Sequence, residues 1–425
     1  MGEVQKVPKL RFSGFESEWG ELKYNEIFSF HSTNSFSRDA LNYENGEVYN
    51  IHYGDVHTKF ATMFDLENEQ VPRINEDVDL VRIKEDNYCQ IGDLVIADAS
   101  EDYNDIGKTI EIVNLGNKKT LAGLHTFLAR PTENKVALGF SGYLMQSWTV
   151  RKQVMTIAQG TKVLGLATGR LGKVNLYLPT LPEQIKIANF LTAVDAKIAN
   201  LSEEKSLLEN YKKGVMQKIF SQELRFKQDD GSDFPEWEIR KLSYYLEVSN
   251  LKNRELKYDK TDVLSVSGEF GIVNQIEFQG RSFAGESVEN YGVVETGDIV
   301  YTKSPLKSNP YGIIKVNKGK SGIVSTLYAV YKCRKDLNGR FLDYYFQLDD
   351  NTNRYLRPLV QKGSKNDMKI NNSKVLIDPV LFPSLIEQDK IVDFLEVIDR
   401  KIDKLRFEID HSQEWKKGLL QQLFV

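Results

Sequence analysis

Residues 178–220 read LPTLPEQIKIANFLTAVDAKIANLSEEKSLLENYKKGVMQKIF, and residues 382–424 read FPSLIEQDKIVDFLEVIDRKIDKLRFEIDHSQEWKKGLLQQLF. An offset of 204 aligns Glu183-Gln184 with Glu387-Gln388, Phe190-Leu191 with Phe394-Leu395, and Lys212-Lys213-Gly214 with Lys416-Lys417-Gly418. The chain writes this stretch twice, and a repeat is settled before any motif is read. In the first copy Ile187, Leu191, Val194, Ile198 and Leu201 step by four and three, and the phase continues through Lys205, Leu208, Lys212, Val215 and Ile219. The second copy places Ile391, Leu395, Ile398, Ile402 and Leu405 on the same phase, then Ile409, Ser412, Lys416, Leu419 and Leu423. Alternating spacing of this kind keeps one apolar stripe facing a partner helix. Pro182 followed by Glu183 suits a helix start, where proline is tolerated and a carboxylate meets the positive end of the helix dipole. The pattern predicts two long helices of about 38 residues, roughly 57 Å each, paired antiparallel as a coiled coil. Two ordinary amphipathic core helices are the plainer reading of the same stripe.

Working outward, the repeat covers more than the helices. Leu10-Arg11-Phe12 with Glu18-Trp19 opens the chain, and Leu224-Arg225-Phe226 with Glu236-Trp237 opens its second half. Leu224 lies just past the first long helix, so the repeat puts Leu10 near the end of the second, close to Phe424, which would close a pseudo-twofold ring. Residues 91–97 (IGDLVIA) and 296–302 (TGDIVYT) read as a turn feeding an apolar strand. Gln159-Gly160-Thr161-Lys162 and Lys362-Gly363-Ser364-Lys365 recur late in each half. Residues 48–57 read as a strand entering a turn. Between these anchors the halves share little: one frame carries two different inserts, which suggests one job done on two targets. The expected class is α+β, with two mixed α/β domains (1–178 and 223–381) and two long helices (179–222 and 382–425).

Composition sets the limits. At 425 residues, 41% hydrophobic and 27% charged, the sequence describes an ordinary globular protein of two or three domains. Cys89 and Cys333 are far apart and show no metal or disulfide spacing, which fits a reducing compartment. The opening MGEVQKVPKLRF lacks a signal-peptide core, and no run reaches membrane-span length, so a cytoplasmic protein without a membrane partner is expected.

Catalytic motifs in the sequence are fragmentary. Gly107-Lys108-Thr109 and Gly319-Lys320-Ser321 resemble the end of a phosphate-binding loop, yet Asp102 and Ile314 stand where its first glycine belongs. Asn309-Pro310-Tyr311 lacks the second proline of an adenine-methyltransferase tetrapeptide and reads as a polar turn. His52 and His57 have no third ligand nearby, so no metal site is expected. Carboxylate pairs such as Glu101-Asp102 and Asp349-Asp350 read as solvated loop residues.

Charge is more informative locally than in the net value of −4. Residues 299–375 hold 15 Lys and Arg against five Asp and Glu, and residues 94–175 hold 10 against six. A localised positive surface suits phosphate contact, and a solvated lysine-rich face is the alternative. The candidates for DNA contact in the second half are Lys303, Lys307, Asn309, Tyr311, Arg357, Lys362, Ser364, Lys365 and Lys369, with Arg354 beside them. In the first half they are Lys108, Arg151, Lys152, Lys162, Arg170 and Lys173. Lysines fix register on phosphates, while amides and hydroxyls also reach base edges.

With these residues in view, the chain resembles the specificity subunit of a type I restriction–modification enzyme over nearly its whole length. The resemblance rests on the helix entries Leu181-Pro182-Glu183-Gln184 and Leu385-Ile386-Glu387-Gln388, their continuations, the two Leu-Arg-Phe…Trp openings, and the Gly160-Thr161 and Gly363-Ser364 motifs. It implies two target-recognition domains held apart by the antiparallel helices, each reading one half of a gapped, asymmetric site in double-stranded DNA. It further implies docking of two adenine methyltransferase subunits and of motor–nuclease subunits. The chain itself would hold no cofactor; S-adenosylmethionine, ATP and Mg2+ would bind the partners, and catalysis would reside there. A coiled-coil scaffold or orphan subunit without DNA reading, and a self-contained methyltransferase or nuclease, are the competing classes.

Overall fold

The computed structural model describes residues 7–360, 368 and 370–425. The chain falls into two compact units, one made of Met1–Ser202 with Phe407–Val425 and the other of Glu203–Arg406. They are called unit 1 and unit 2 below.

Unit 1 is built on strands β1 (Gly20–Lys23), β2 (Phe28–His31), β3 (Tyr49–Ile51), β4 (Met63–Asp65), β5 (Leu94–Ala97), β6 (Thr109–Asn114), β7 (Thr126–Pro131) and β8 (Asn175–Leu178). Its main sheet has the order β2-β7-β5-β6-β4, antiparallel except where β4 runs parallel to β6. Strand β5 sits at the centre and is Leu-Val-Ile-Ala, buried throughout, as a strand covered on both faces requires. The smaller sheet holds β3, and β1 pairs with β8 as a separate ribbon.

Unit 2 repeats the plan with β9 (Glu238–Lys241), β10 (Leu246–Val248), β11 (Ile299–Thr302), β12 (Ile314–Val316), β13 (Tyr328–Cys333) and β14 (Pro379–Phe382). Its main sheet is antiparallel in the order β10-β13-β11-β12, and β9 pairs with β14 as β1 does with β8.

The repeated Gly-Asp before β5 and β11 has a physical cause. Gly92 and Gly297 both hold φ +91, a region that favours glycine. The following carboxylates close the turn: Asp93 accepts the Gln90 N–H at 2.8 Å and Asp298 the Glu295 N–H at 2.7 Å. Each buried acid is then matched by a cation on the neighbouring strand, Arg130 on β7 at 2.8 Å and Lys332 on β13 at 2.8 Å.

The long helices run Leu181–Phe220 and Leu385–Gln422. Inside unit 1, Ile187, Leu191 and Val194 share a core with Leu419, Leu423 and Phe424, so the start of the first helix lies beside the end of the second. Inside unit 2, Val215 and Ile219 share a core with Ile391, Leu395, Ile398 and Ile402, again antiparallel. Leu405 is buried, and Ile198 and Leu201 are half-buried. Where the seam carries lysine it carries charge pairs instead: Lys416 meets Asp195 at 2.6 Å in unit 1, and Lys212 meets Asp399 at 2.5 Å in unit 2.

Both helix entries are fastened in the same way. The Arg11 guanidinium forks onto Glu183 through two bonds of 2.8 Å, and Arg225 forks onto Glu387 at 3.3 and 3.0 Å. Bidentate geometry is the strong form of this pair, and the carboxylates are fully buried. Phe12 meets Phe190 edge-on at 5.5 Å, and Phe226 meets Phe394 edge-on at 5.4 Å. The Gln184 and Gln388 amides bond backbone groups at both ends. The Leu10 N–H donates to the Gln422 carbonyl at 2.9 Å, where the repeat puts it, and the Leu224 N–H donates to Lys218 at 3.0 Å.

Candidate nucleic-acid interface

The frame is shared, so difference between the units gathers at the sheet end where β5 and β11 finish. In unit 1, Ala97 on β5 pairs with Thr126 on β7, and the next residue, Asp98, donates its N–H to the His125 carbonyl at 3.0 Å. Leu166 donates to the Asp98 carbonyl at 2.8 Å, and Ala97 donates to the Lys108 carbonyl and accepts from the Gly107 N–H in the segment that enters β6. Gly160, at φ +140, lets the 159–165 loop fold back: a Cβ there would lie 1.9 Å from the Val163 carbonyl oxygen. These bonds bring Lys108 and Arg151 together at one place. Lys108 Nζ donates to the His57 carbonyl, and Arg151 Nη2 donates to the Tyr103 and Asn104 carbonyls. Among the described residues the buried Arg151 Nη1 finds no partner, and burial lowers the guanidinium's pKa. Lys152, Lys162 and Lys173 are exposed, and Arg170 is half-buried with its Nε likewise unpartnered.

Residues 48–57 depart from the expected strand and turn. Strand β3 ends at Ile51, and Tyr53–Thr58 is a short helix capped by the His52 ring, which accepts the Gly54 N–H at 3.2 Å. A ring acceptor one residue before a helix does the work of a cap side chain, a signal the apolar pattern does not carry. Burial, then the nearby Arg38 charge, pushes His52 down to about 4, so this cap is a neutral imidazole. Buried Asp55 ties Arg38 at 2.6 Å and Lys59 at 3.0 Å to the same helix. Tyr53, His57 and His125 pack edge to face beside it. Unit 1 therefore shows aromatic and imidazole edges next to Arg38, Lys59 and Lys108. Its Arg38–Lys59 part was invisible to a count of charge over 94–175.

Unit 2 answers with lysine at the same sheet end. Thr302 on β11 pairs with Tyr328 on β13, and Lys303 donates its N–H to the Leu327 carbonyl at 3.2 Å, as Asp98 does to His125. Beyond β10 the chain continues along the other side of β13, with Ser249 donating to Val330 at 2.8 Å, and it brings Lys252 to this end. Burial first, and the Lys252 charge second, lower the Lys303 pKa. Among the described residues neither lysine has a carboxylate partner, so two cations face each other unneutralised. Lys252 lies outside the lysine-rich window of the sequence and was missed for that reason.

The remaining candidates separate. Lys307 and Arg357 are exposed, and Tyr311 is half-buried against the core. Asn309 is buried: its carbonyl accepts the Leu306 and Gly312 N–H groups, and the Ser308 hydroxyl donates to its amide oxygen, so it shapes the loop from inside. Lys362, Ser364, Lys365 and Lys369 lie outside the described residues. Among the described residues no helix is long and apolar enough to cross a membrane, and no cluster of His, Cys, Asp and Glu is arranged to hold a metal ion.

Residues 16–210 match the family model of the type I restriction modification DNA specificity domain. Two proteins of Methanocaldococcus jannaschii are similar along most of the chain. The putative type I restriction enzyme MjaX specificity subunit is 24% identical over 354 residues, 79% of this chain and 78% of that one. The type I restriction enzyme MjaVIII specificity subunit is 25% identical over 332 residues, 73% of this chain and 75% of that one. In fold, the chain is similar to the S subunit of a type I restriction-modification system from M. genitalium, with a TM-score of 0.55, 14% identity and 99% of both chains covered. A chain from a structure of type I R-M complex assembly gives a TM-score of 0.52 at 14% identity, with 96% of this chain and 98% of that one covered. Beside the duplicated frame and its two divergent sheet ends, these likenesses make the chain similar to type I restriction–modification specificity subunits, with the DNA specificity domain matched over residues 16–210.

Proposed function

We propose that the chain reads a two-part, gapped DNA site, with unit 1 contacting one part and unit 2 the other. Specificity subunits of this family are non-catalytic, and catalysis sits in partner subunits. The observation that carries the reading is the contrast at matched sheet ends: Asp98 and His125 in unit 1 stand where Lys303 and Leu327 stand in unit 2. A frame kept twice with different chemistry at one end suits two half-sites of different sequence. The surfaces proposed to touch DNA include Lys108 and Arg151 in unit 1, and Lys252, Lys303 and Lys307 in unit 2.

The chain further docks two adenine methyltransferase subunits and joins motor–nuclease subunits, which bind S-adenosylmethionine, ATP and Mg2+. The duplicated helix entries support this, because two alike surfaces suit two copies of one partner.

Salt-dependent binding tests the DNA contact. The chain, purified with an adenine methyltransferase partner, is titrated into labelled duplex DNA across a salt series. Replacing Lys252 and Lys303 together by alanine should weaken binding to all duplexes and lower the slope of log K against log salt by about two, one for each phosphate left unneutralised. An unchanged slope would remove this sheet end from the interface.

A further inference from the structure

Among the side chains at the two sheet ends, His125 is the one held most deliberately. Its backbone sits at φ +54, a left-handed conformation uncommon for residues other than glycine. The ring is half out in solvent, with 51% of the side chain exposed. Its Nδ1 lies 3.3 Å from the Asp98 carboxylate. A carboxylate can only accept there, so the neutral ring carries its proton on Nδ1 and presents a lone pair on Nε2. Among the described residues Nε2 has no hydrogen-bond partner in the protein.

The ring is also braced from the side. Tyr53 meets it edge to face, with centroids 5.2 Å apart and planes at 77°, and Tyr53 is itself packed against His57 at 5.9 Å and 90°. The outward acceptor is therefore aimed by a carboxylate, an aromatic ring and a left-handed backbone turn together. Leu327, at the matching place in unit 2, offers no polar side-chain atom. This feature belongs to the unit 1 insert alone.

We propose that His125 is a specificity-determining residue of unit 1, its Nε2 accepting from the exocyclic amino group of an adenine or cytosine in the major groove. Those two amino groups are the only base-edge donors that the major groove displays. Asp98 and Tyr53 act as positioning residues. The inference deepens the proposed function and rests on unit 1 meeting DNA at this sheet end.

The test compares N6-methyladenine maps from cells carrying a partner methyltransferase with either the wild-type chain or His125→Gly. Glycine suits φ +54, so the variant removes the ring while relaxing the backbone. The expected result is a motif in which one base pair of one part becomes degenerate, with on the order of tenfold less discrimination, while the other part is unchanged. Identical base preferences in both maps would overturn the proposal. If the variant methylates nothing, competition binding on duplexes altered one base pair at a time decides the matter. Lost discrimination at a single pair with salt-dependent binding retained supports it, and loss of all binding or full discrimination overturns it. A wild-type map without any two-part motif would instead overturn the underlying reading of the two units.

Discussion

Tyr143 in unit 1 and Tyr344 in unit 2 perform the same task, whereas His125 and Leu327 share a place and nothing else. Each tyrosine donates its hydroxyl to an aspartate on a long helix, Asp195 at 2.8 Å and Asp399 at 2.6 Å, and each aspartate holds a lysine from the other helix. That lysine lies over the same tyrosine ring, at 5.4 and 5.0 Å. Farther along, the ring pairs Phe140–Phe424 and Phe220–Phe341 both stand at 5.6 Å. These contacts with the long helices recur in both units, and away from the helices the units are free to differ. The lesson is a division of labour in which packing against the helices fixes the frame and the far sheet end carries the variable chemistry.

One carboxylate shows how the frame tolerates change. In unit 1 the strand supplies an acid to a helix: Glu111 on β6 accepts the N–H groups of Gly139 and Gly142 at 2.7 Å each. In unit 2 the helix supplies the acid to the strand, since Asp343 accepts the Val316 N–H of β12 at 3.0 Å. The register places Val316 where Glu111 stands, because Leu94 pairs with Glu111 and Ile299 with Val316. An acid is kept at this junction while the element that donates it is exchanged.

The largest effect should come from the helix fastening. Arg11→Ala and Arg225→Ala each strand a buried carboxylate, and each should destabilise its unit by about 3–5 kcal/mol in chemical denaturation. The comparison breaks if one costs far more than the other, for then the frames are not equivalent. A middling effect is expected at Gly142, where a Cβ would lie 2.6 Å from the Met63 methyl and 3.1 Å from Glu111 Cβ. Gly142→Ala should cost about 1–3 kcal/mol by overpacking. Pairing Gly142→Asp with Glu111→Val, which copies unit 2, should recover part of what Gly142→Asp alone loses; failure to do so would mean the exchange depends on surroundings.

The narrowest effect, confined to one group, is a pH dependence. Burial pushes Glu111 up to about 7 against the pull of its N–H donors. An acid whose folded pKa is raised contributes stability that is fully present below its unfolded value of about 4.3 and is lost as pH rises through the folded value. Thermal unfolding of the wild type should therefore lose stability between about pH 4.5 and 7 through this group. Glu111→Gln should be flatter over that window, and an equal slope in both proteins would show that Glu111 is not the source.

Much of the frame was legible in the sequence. The offset repeat, the heptad stripe and the Gly-Asp turns each depend on neighbours within a few residues or on an exact copy elsewhere, so composition and spacing reveal them. Arg11 and Glu183 were visible as repeated letters, yet their pairing was not, because 172 positions separate them. The sheet ends were harder still. His125 gains its meaning from Asp98, Tyr53 and His57, drawn from distant segments, and Lys252 joins Lys303 only through the register of β13. Asn309 differs again: its carbonyl accepts the Leu306 and Gly312 N–H groups and its amide oxygen accepts the Ser308 hydroxyl, bonds that the polarity of a basic loop does not reveal.

The account stands on two units reading two different half-sites, and mapping N6-methyladenine across a genome tests that most directly. Cells with a partner methyltransferase are compared with and without this chain. The account predicts a new motif in two parts of different sequence, separated by a gap of fixed length and present only with the chain. A single uninterrupted motif, or no new motif from a chain that co-purifies with the methyltransferase, would contradict it.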